Sequence, residues 1–330
     1  MPPVMTPANA GLNQNLVLTR VVQGIKSQRT KMVGQFLSPK VPVPTRTGQI
    51  IKFDNSNTVI YDTRRAPGAE TKRRSIGYTG DPYVLHQDSL EGELPIEIIS
   101  ESRAYGGVSV AGTRAIPFNL EKRVAEGTME SIDLRLEYDI ALKLTDPAQY
   151  DPNNVLTLSG TDVLNDPNSD ILGLFDTMRE QVADSSLEEM NSAVFSRKAF
   201  NSAINHPQIR SYMEGVSSDV ATEEVLARIL RLSRGIRVAK AKKLADGSTA
   251  DYENIWGNVI IGAYVPEEIS QNKLEPAFSY TYQLEGYAIA EDPYFERNNK
   301  TWYYPVTDER ETYVVGKSSG FLVRNATSNY

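Results

Sequence analysis

The stretch PFNLEKRVAEGTMESIDLRLEYDIALKL, residues 117–144, decides the architecture of this chain. Its apolar residues recur in steps of three, four or five, the spacing of one helix face: Leu120, Val124, Met129, Ile132, Leu136, Ile140 and Leu144. Asn119 suits the N-cap, and Asp146-Pro147 ends the helix because the residue before a proline avoids the α region. A helix over residues 118–144 is about 37 Å long at about 1.5 Å per residue. The sequence therefore predicts a spine to which shorter elements are attached.

The charged residues of this spine are predicted to lie off the apolar stripe, Asp133 and Glu137 among them. Gly127 lies near the middle and costs about 1 kcal/mol relative to alanine. We therefore expect either close packing at Gly127 or a bend of the helix.

The composition is that of a soluble globular protein, with 330 residues, 40% hydrophobic and 23% charged. Length alone suggests about two domains. The sequence contains no apolar run long enough to span a membrane and no recognisable signal peptide. Cysteine is absent and only His86 and His206 are present, so disulfides, thiolate zinc sites and histidine-rich metal sites are excluded. We expect no cofactor and no metal, and a cytoplasmic protein of the assembly type.

Charge is distributed unevenly along the chain. Residues 1–53 contain no Asp or Glu but seven basic residues: Arg20, Lys26, Arg29, Lys31, Lys40, Arg46 and Lys52. This segment carries +7, so the remaining residues carry −14 to give the net charge of −7. A basic arm on an acidic body is typical of contact with nucleic acid or with an acidic neighbouring subunit. A tail kept soluble by its charge is the simpler interpretation.

The first 35 residues are predicted to be an N-terminal arm that orders only against another surface, because they contain few apolar residues. Residues 16–22 fit either a short helix or an extended piece. In residues 36–53, Pro39, Pro42 and Pro44 favour an extended edge segment, followed by a strand over residues 49–53.

Residues 59–97 are predicted to contain a long two-stranded excursion, with one strand starting at residues 59–61 and another at residues 82–87. Between its strands lie five basic residues, interleaved with glycines: Arg64, Arg65, Lys72, Arg73 and Arg74. An isolated hairpin is marginally stable in water, so a hairpin this long and polar needs a partner surface. A structureless surface loop is the alternative, which its length disfavours.

Residues 150–280 are predicted to form a mixed α/β domain. Helices are expected over residues 170–183, 197–205 and 222–234, with Gly235 after the last of them, and strands over residues 191–196, 236–243 and 256–266. Residues 281–330 are rich in tyrosine and strand formers, with a hairpin-like turn at residues 298–300. We expect these closing strands to lie beside the spine helix.

No catalytic constellation is recognisable, so no enzyme is predicted. The nucleophile-elbow, zinc-helix and phosphate-loop motifs are all absent. His206 is interpreted as a helix-terminal polar group, and the carboxylate pairs at residues 188–189, 223–224 and 267–268 as ordinary loop or helix-start residues. Two alternatives stay open, a two-domain α/β enzyme that uses these carboxylates and a nucleic-acid-binding protein that uses the basic arm.

The order of these parts resembles the major capsid protein of tailed bacteriophages, the Hong Kong phage-type fold also found in herpesvirus shells. The run TRRAPGAETKRRSIGYTGDPYVLHQDSLEGELP is similar to the family's extended loop. NSAVFSRKAFNSAINHPQIRSYM and IWGNVIIGAYVP are similar to a strand-then-helix entry and to the central strand of its axial domain.

This resemblance implies an α+β fold with an N-terminal arm at 1–35, a peripheral domain at 36–56 and 93–149, and an extended loop at 57–92. An axial domain at 150–280 follows, and the strands at 281–330 return to the peripheral domain. It also implies pentamers and hexamers that form an icosahedral shell around double-stranded DNA, in a virion assembled through a procapsid in the bacterial cytoplasm. A separate scaffolding protein, a portal and possible decoration proteins are the implied partners. The expected inter-subunit contact residues are Arg64, Arg65, Lys72, Arg73, Arg74, Arg20, Lys26, Arg29 and Lys31.

Overall fold

The computed structural model describes residues 32–53, 60, 63–65, 70, 71, 73, 78–104, 120–214, 222–244, 251–267 and 277–328. These residues combine helices with several sheets, which confirms the predicted α+β class. Across this described part of the chain, no helix is long and apolar enough to cross a membrane.

The described residues form seven α-helices and fifteen strands. The helices are α1 Gly34–Leu37, α2 Ile96–Ala104, α3 Leu120–Leu144, α4 Ile171–Ser186, α5 Arg197–Asn205, α6 Pro207–Glu214 and α7 Glu223–Ile229. The strands are β1 Lys40–Val43, β2 Thr47–Phe53, β3 Tyr78–Val84, β4 His86–Pro95, β5 Val155–Thr157, β6 Ser192–Ser196, β7 Gly235–Ala239, β8 Lys242–Leu244, β9 Tyr252–Asn254, β10 Val259–Ala263, β11 Ser279–Leu284, β12 Ile289–Ala290, β13 Tyr294–Glu296, β14 Thr301–Val314 and β15 Gly320–Arg324.

The spine helix is α3. It spans 25 residues, as the periodicity predicted, and its stripe residues Met129, Ile132 and Leu136 are buried. The prediction that Asp133 and Glu137 lie off the stripe is wrong, because both side chains are buried. Close packing at Gly127 is also wrong, since a Cβ there would meet nothing within 4 Å.

One sheet, here called sheet I, lies along the spine helix. Its strands follow the order β1-β11-β14-β12, and β4 and β13 also pair with β14. β14 is 14 residues long and pairs with β4 in ten consecutive antiparallel positions. Ala125, Met129 and Ile132 of the spine helix pack against Ala290 and Val306 of this sheet. The edge position of the proline-containing β1 confirms the predicted edge segment.

The other large sheet, sheet II, has the order β5-β15-β10-β6-β7 and is covered on both faces. All five residues of its central strand β10 are buried. Phe195 and Ile260 face a core that includes residues of α4, α5 and α7. Val194 and Ile261 face the opposite core, which includes Trp256 and the C-terminal half of the spine helix. The spine helix thus contributes to the cores of both sheets.

The local predictions in this part of the chain hold unevenly. The helix at residues 197–205 is confirmed, and α4 has the Asp170 side chain as its N-cap. The helix predicted over residues 222–234 is too long, because α7 ends at Ile229 and Arg231 takes a positive φ of 56°. Gly235 begins β7 with a φ of 102°, a conformation that glycine adopts without strain.

Two strand assignments differ from the expectation. The strand β4 pairs with β14 and so belongs to sheet I. The two-stranded part of the loop is formed by β2 and β3, which pair from Thr47 opposite Val84 to Phe53 opposite Tyr78. The last strand, β15, pairs with β10 and β5 in sheet II, whereas β11 and β14 belong to sheet I. Leu322 of β15 lies in the core that sheet II shares with the C-terminal half of the spine helix. Sequence reasoning missed this because a buried apolar strand suits either sheet. The division into domains stays a prediction.

Candidate assembly surfaces

The root of the N-terminal arm is fixed by one buried carboxylate of the spine helix. Val33 and Gly34 begin the described chain at α1, whose first N–H groups have no partner within so short a helix. Both N–H groups donate to Glu137, at 2.9 Å and 2.8 Å. A Cβ on Gly34 would lie 2.8 Å from the Glu137 carboxylate, so glycine permits this approach.

The same carboxylate also accepts a hydrogen bond from Trp256 Nε1 at 2.7 Å. Burial raises the pKa of Glu137, while the three N–H donors act in the opposite direction. Glu137 therefore joins the arm root, the spine helix and the core of sheet II.

The root of the extended loop is fixed by two residues of β14, Glu309 and Tyr313. Arg46 donates from Nε and Nη2 to both carboxylate oxygens of Glu309, at 2.7 Å and 2.5 Å. Tyr313 Oη contacts both backbone groups of Val84, donating to the carbonyl oxygen and accepting from N, each at 3.0 Å. Both strands of the loop therefore leave sheet I from defined positions.

A buried charged cluster joins sheet I to the spine helix. The side chain of Arg310 is 1% exposed and donates to Asp133 at 3.1 Å, to Asp308 at 2.7 Å and to the Ile132 carbonyl at 2.5 Å. Its Nε has no hydrogen-bond partner among the described residues, and a carboxylate oxygen of Asp88 lies 3.8 Å away. Burial raises the pKa of Asp88, and the guanidinium of Arg310 partly offsets this rise.

A polar cleft of about 250 Å³ opens beside this cluster, between the spine helix and the ends of β4 and β14. Its charged and titratable lining residues, besides Arg310, are His86, Asp88, Arg135, Asp139, Lys143 and Glu311. Lys143 donates to Glu311 and to the Thr312 carbonyl. The cleft holds both signs of charge, without the largely apolar lining of a typical small-molecule pocket.

The residues predicted to make inter-subunit contacts are only partly described. Arg64, Arg65 and Arg73 are exposed, and Arg65 donates to Thr71 Oγ1 at 3.1 Å. The others lie outside the described residues: Lys72, Arg74, Arg20, Lys26, Arg29 and Lys31. Their roles stay predictions.

The groups considered for catalysis have ordinary structural roles where they are described. His206 caps the end of α5, and its Nε2 lies 3.0 Å from the Asp166 carbonyl, which confirms a helix-terminal polar group. Glu223 pairs with Lys240 at 3.0 Å and with Arg237 at 3.8 Å near the surface. Among the described residues, no group of three or more His, Asp or Glu side chains is placed to hold a metal ion.

Sequence reasoning missed Asp133, Glu137 and Arg310, the buried charges that connect the parts. The sequence contains a signal that two of these residues are buried. Asp133 and Glu137 lie four and eight residues after Met129, so on a helix they neighbour the apolar residues at 129, 136 and 140. These two positions therefore flank the apolar stripe. Only the fold shows that a sheet strand and the arm root cover them.

Comparisons with known proteins agree with this architecture. No model of a known protein family matches the chain. The chain is 25% identical over 311 residues to the major capsid protein of Burkholderia phage BcepMu, an alignment covering 93% of this chain and 94% of that protein. The crystal structure of a phage-related protein from Bordetella bronchiseptica is 28% identical, with a TM-score of 0.77 and coverage of 96% and 98%.

The capsid of cyanophage P-SCSP1u shares the fold at 12% identity, with a TM-score of 0.53 over 91% of this chain and 90% of that one. The predicted resemblance to phage capsid proteins is therefore confirmed. The sequence similarity and the fold together make this chain a structural capsid shell protein, similar to the major capsid proteins of tailed phages.

Proposed function

We propose that many copies of this chain tile a closed icosahedral shell as pentamers and hexamers, around double-stranded DNA. The observation that carries the proposal is the fixed root of the extended loop, where Arg46 and Tyr313 hold both strands while Arg64, Arg65 and Arg73 beyond them are exposed. A polar hairpin with a rigid root and an exposed basic part suits a neighbouring subunit as its support.

The basic residues of the loop are proposed to lie over acidic surface of the adjacent copy. Exposed ion pairs contribute about 0.2–1 kcal/mol each. These pairs therefore determine the register of the contact and add little to its affinity. Strand pairing and apolar burial supply most of the affinity. The arm residues Arg20, Lys26, Arg29 and Lys31 clasp a neighbour or face the packaged DNA in the same proposal.

The proposed partners are those that the resemblance to phage capsid proteins implies. Scaffolding protein, portal and decoration proteins complete the assembly in the host cytoplasm, and the DNA is contacted without sequence preference. Because the chain carries a net charge of −7, the shell interior holds the genome loosely. The chain has no enzymatic activity in this proposal, and its place is the wall of the virion.

The test is particle formation by charge-reversal variants. Arg64→Glu, Arg65→Glu and Arg73→Glu are combined in one chain, and Arg64→Lys, Arg65→Lys and Arg73→Lys in a matched control that keeps the charge. We expect the reversed chain to remain folded by circular dichroism but to sediment as small oligomers, whereas the lysine control forms particles. Equal particle yield from both chains would contradict the assigned role of the loop.

A further inference from the structure

Sheet I ends on an open edge formed by β4. This strand, His86–Pro95, pairs with β14 in ten positions, and no other strand within the described ranges pairs with it. Natural proteins shield such edges with prolines, lysines or bulges, because an unpaired edge recruits another strand. β4 has one proline, at its last position, and no lysine. Leu90 near its middle is 44% exposed.

The open edge is acidic. β4 contains no Lys or Arg but three carboxylates, Asp88, Glu91 and Glu93. β4 also opens onto the polar cleft, which His86 and Asp88 line on the strand side and Asp139 on the spine side. A strand added along this edge would therefore meet an apolar position at Leu90 and carboxylates beside it.

The N-terminal arm has the complementary sequence. Residues 1–31 contain Arg20, Lys26, Arg29 and Lys31 and no acidic residue. Within them, residues 16–22 have the sequence LVLTRVV, in which β-branched residues favour a strand. Alternation along a strand would place Leu18 and Arg20 on one face and Thr19 on the other.

We propose that residues 16–22 of one copy add as an antiparallel strand to the β4 edge of a second copy, with Thr19 opposite Ser89. In this register Leu18 lies opposite Leu90, and Arg20 lies opposite Asp88. In the arm, the charged Arg20 follows the apolar Leu18 by two residues, whereas in β4 the charged Asp88 precedes the apolar Leu90 by two residues. The two patterns therefore match only when the strands are antiparallel. This inference rests on the proposed function and names the surface that the arm clasps.

The fold favours a second copy as the source of the arm. The arm root at Val33 leads directly into β1, which lies at the edge of sheet I opposite β4, with β11 and β14 between them. An arm of the same chain would have to cross the width of sheet I to reach β4, whereas an arm from a second copy would not. Arg20 in this position would neutralise Asp88, whose charged form is disfavoured by burial.

Cysteine pairs test the register, because the chain contains no cysteine of its own. Thr19→Cys and Ser89→Cys are placed in separate chains and co-assembled, as are Leu18→Cys and Leu90→Cys. In an antiparallel ladder, adjacent pairs have Cα atoms about 5.5 Å or about 4.5 Å apart, and both spacings lie within the range of disulfides. We expect a disulfide-linked dimer from both combinations, and none from Thr19→Cys with Gln87→Cys.

The outcomes separate the inference from the proposed function. Normal particles without a crosslink at either pair would overturn the inference and leave the shell intact. A crosslink formed only within chains that carry both cysteines would assign the edge to the same chain's arm and overturn it too. If Arg65→Cys crosslinks with Ser89→Cys and the arm pairs do not crosslink, the extended loop occupies the β4 edge and the inference is overturned. Absence of particles from the unmodified chain would instead contradict the proposed function.

Substitution of Arg20 provides a second measurement. Arg20→Glu places two carboxylates opposite each other, so we expect loss of the crosslink between Thr19→Cys and Ser89→Cys, while Arg20→Lys retains it. Full crosslinking of the Arg20→Glu chain would contradict the assigned position of this residue.

Discussion

Sheet II and sheet I are stabilised in different ways. Sheet II lies between two apolar cores, represented by Phe195 on one face and Ile261 on the other. Sheet I meets the spine helix through buried charges as well as apolar contacts, and Arg310 and Asp133 form the centre of that junction. Apolar burial stabilises a fold but is non-directional, so it does not fix how two elements are positioned. Paired charges need a defined geometry and therefore fix the position at which two elements join. In this chain the buried charges lie where the arm and the loop leave the body.

The largest expected effect comes from Arg310. Arg310→Ala leaves Asp133 and Asp308 buried without their cation, so we expect a loss of about 3–5 kcal/mol in the free energy of unfolding. Urea denaturation measures it. The exposed Arg324 of β15 provides the control, and Arg324→Ala should change stability by about 0.5 kcal/mol or less.

The comparison becomes sharper when the whole charged cluster is replaced. A chain with Arg310→Met, Asp133→Leu and Asp308→Leu removes the three fully buried charges at once, so it should regain most of the stability lost in Arg310→Ala. If this triple variant is as unstable as Arg310→Ala, shape and not charge governs the junction.

A smaller effect is expected at the arm root. Glu137→Gln replaces a group that accepts three N–H bonds by one acceptor and one donor, so at least one buried N–H loses its partner. We expect a loss of about 1–3 kcal/mol, measured by urea denaturation, together with faster proteolysis near residue 33. Glu121→Gln, at an exposed position of the same helix, is the matched control and should leave both unchanged.

Glu137 also predicts a dependence on pH. Because burial raises its pKa in the folded protein above 4.5, the folded state holds this proton over a pH range where the unfolded state has released it. The free energy of unfolding should therefore fall as the pH rises from below 4.5 through the raised pKa. The difference between the native chain and Glu137→Gln, measured across this range, isolates the contribution. A difference independent of pH would contradict it.

The smallest effect should be seen in the core of sheet II. Ile260→Val removes one methylene group from a fully buried position, so we expect a loss of about 0.5–1.5 kcal/mol. The loss should be the same in low and high salt, because no charge is involved, whereas the contribution of the exposed Arg46 to its pair with Glu309 of sheet I should be smaller in high salt. Equal salt sensitivity in both regions would remove the contrast between the two sheets.

The sequence predicted elements better than the junctions between them. The spine helix and α5 follow from periodicity and capping, and β10 follows from its continuous apolar run, because these signals are local. The partners of the buried charges are not local. Asp133 and Arg310 are 177 residues apart, and Glu137 and Val33 are 104 apart. Nothing in either segment marks its partner, so periodicity alone places these polar positions off the apolar stripe.

Electron microscopy of the chain, expressed with the other head proteins of its phage, tests the central claim most directly. We predict closed shells built of five- and six-membered capsomers, with an added strand visible along the outer edge of β4. A population that remains a 36.7 kDa monomer at every concentration, with and without those proteins, would contradict the account.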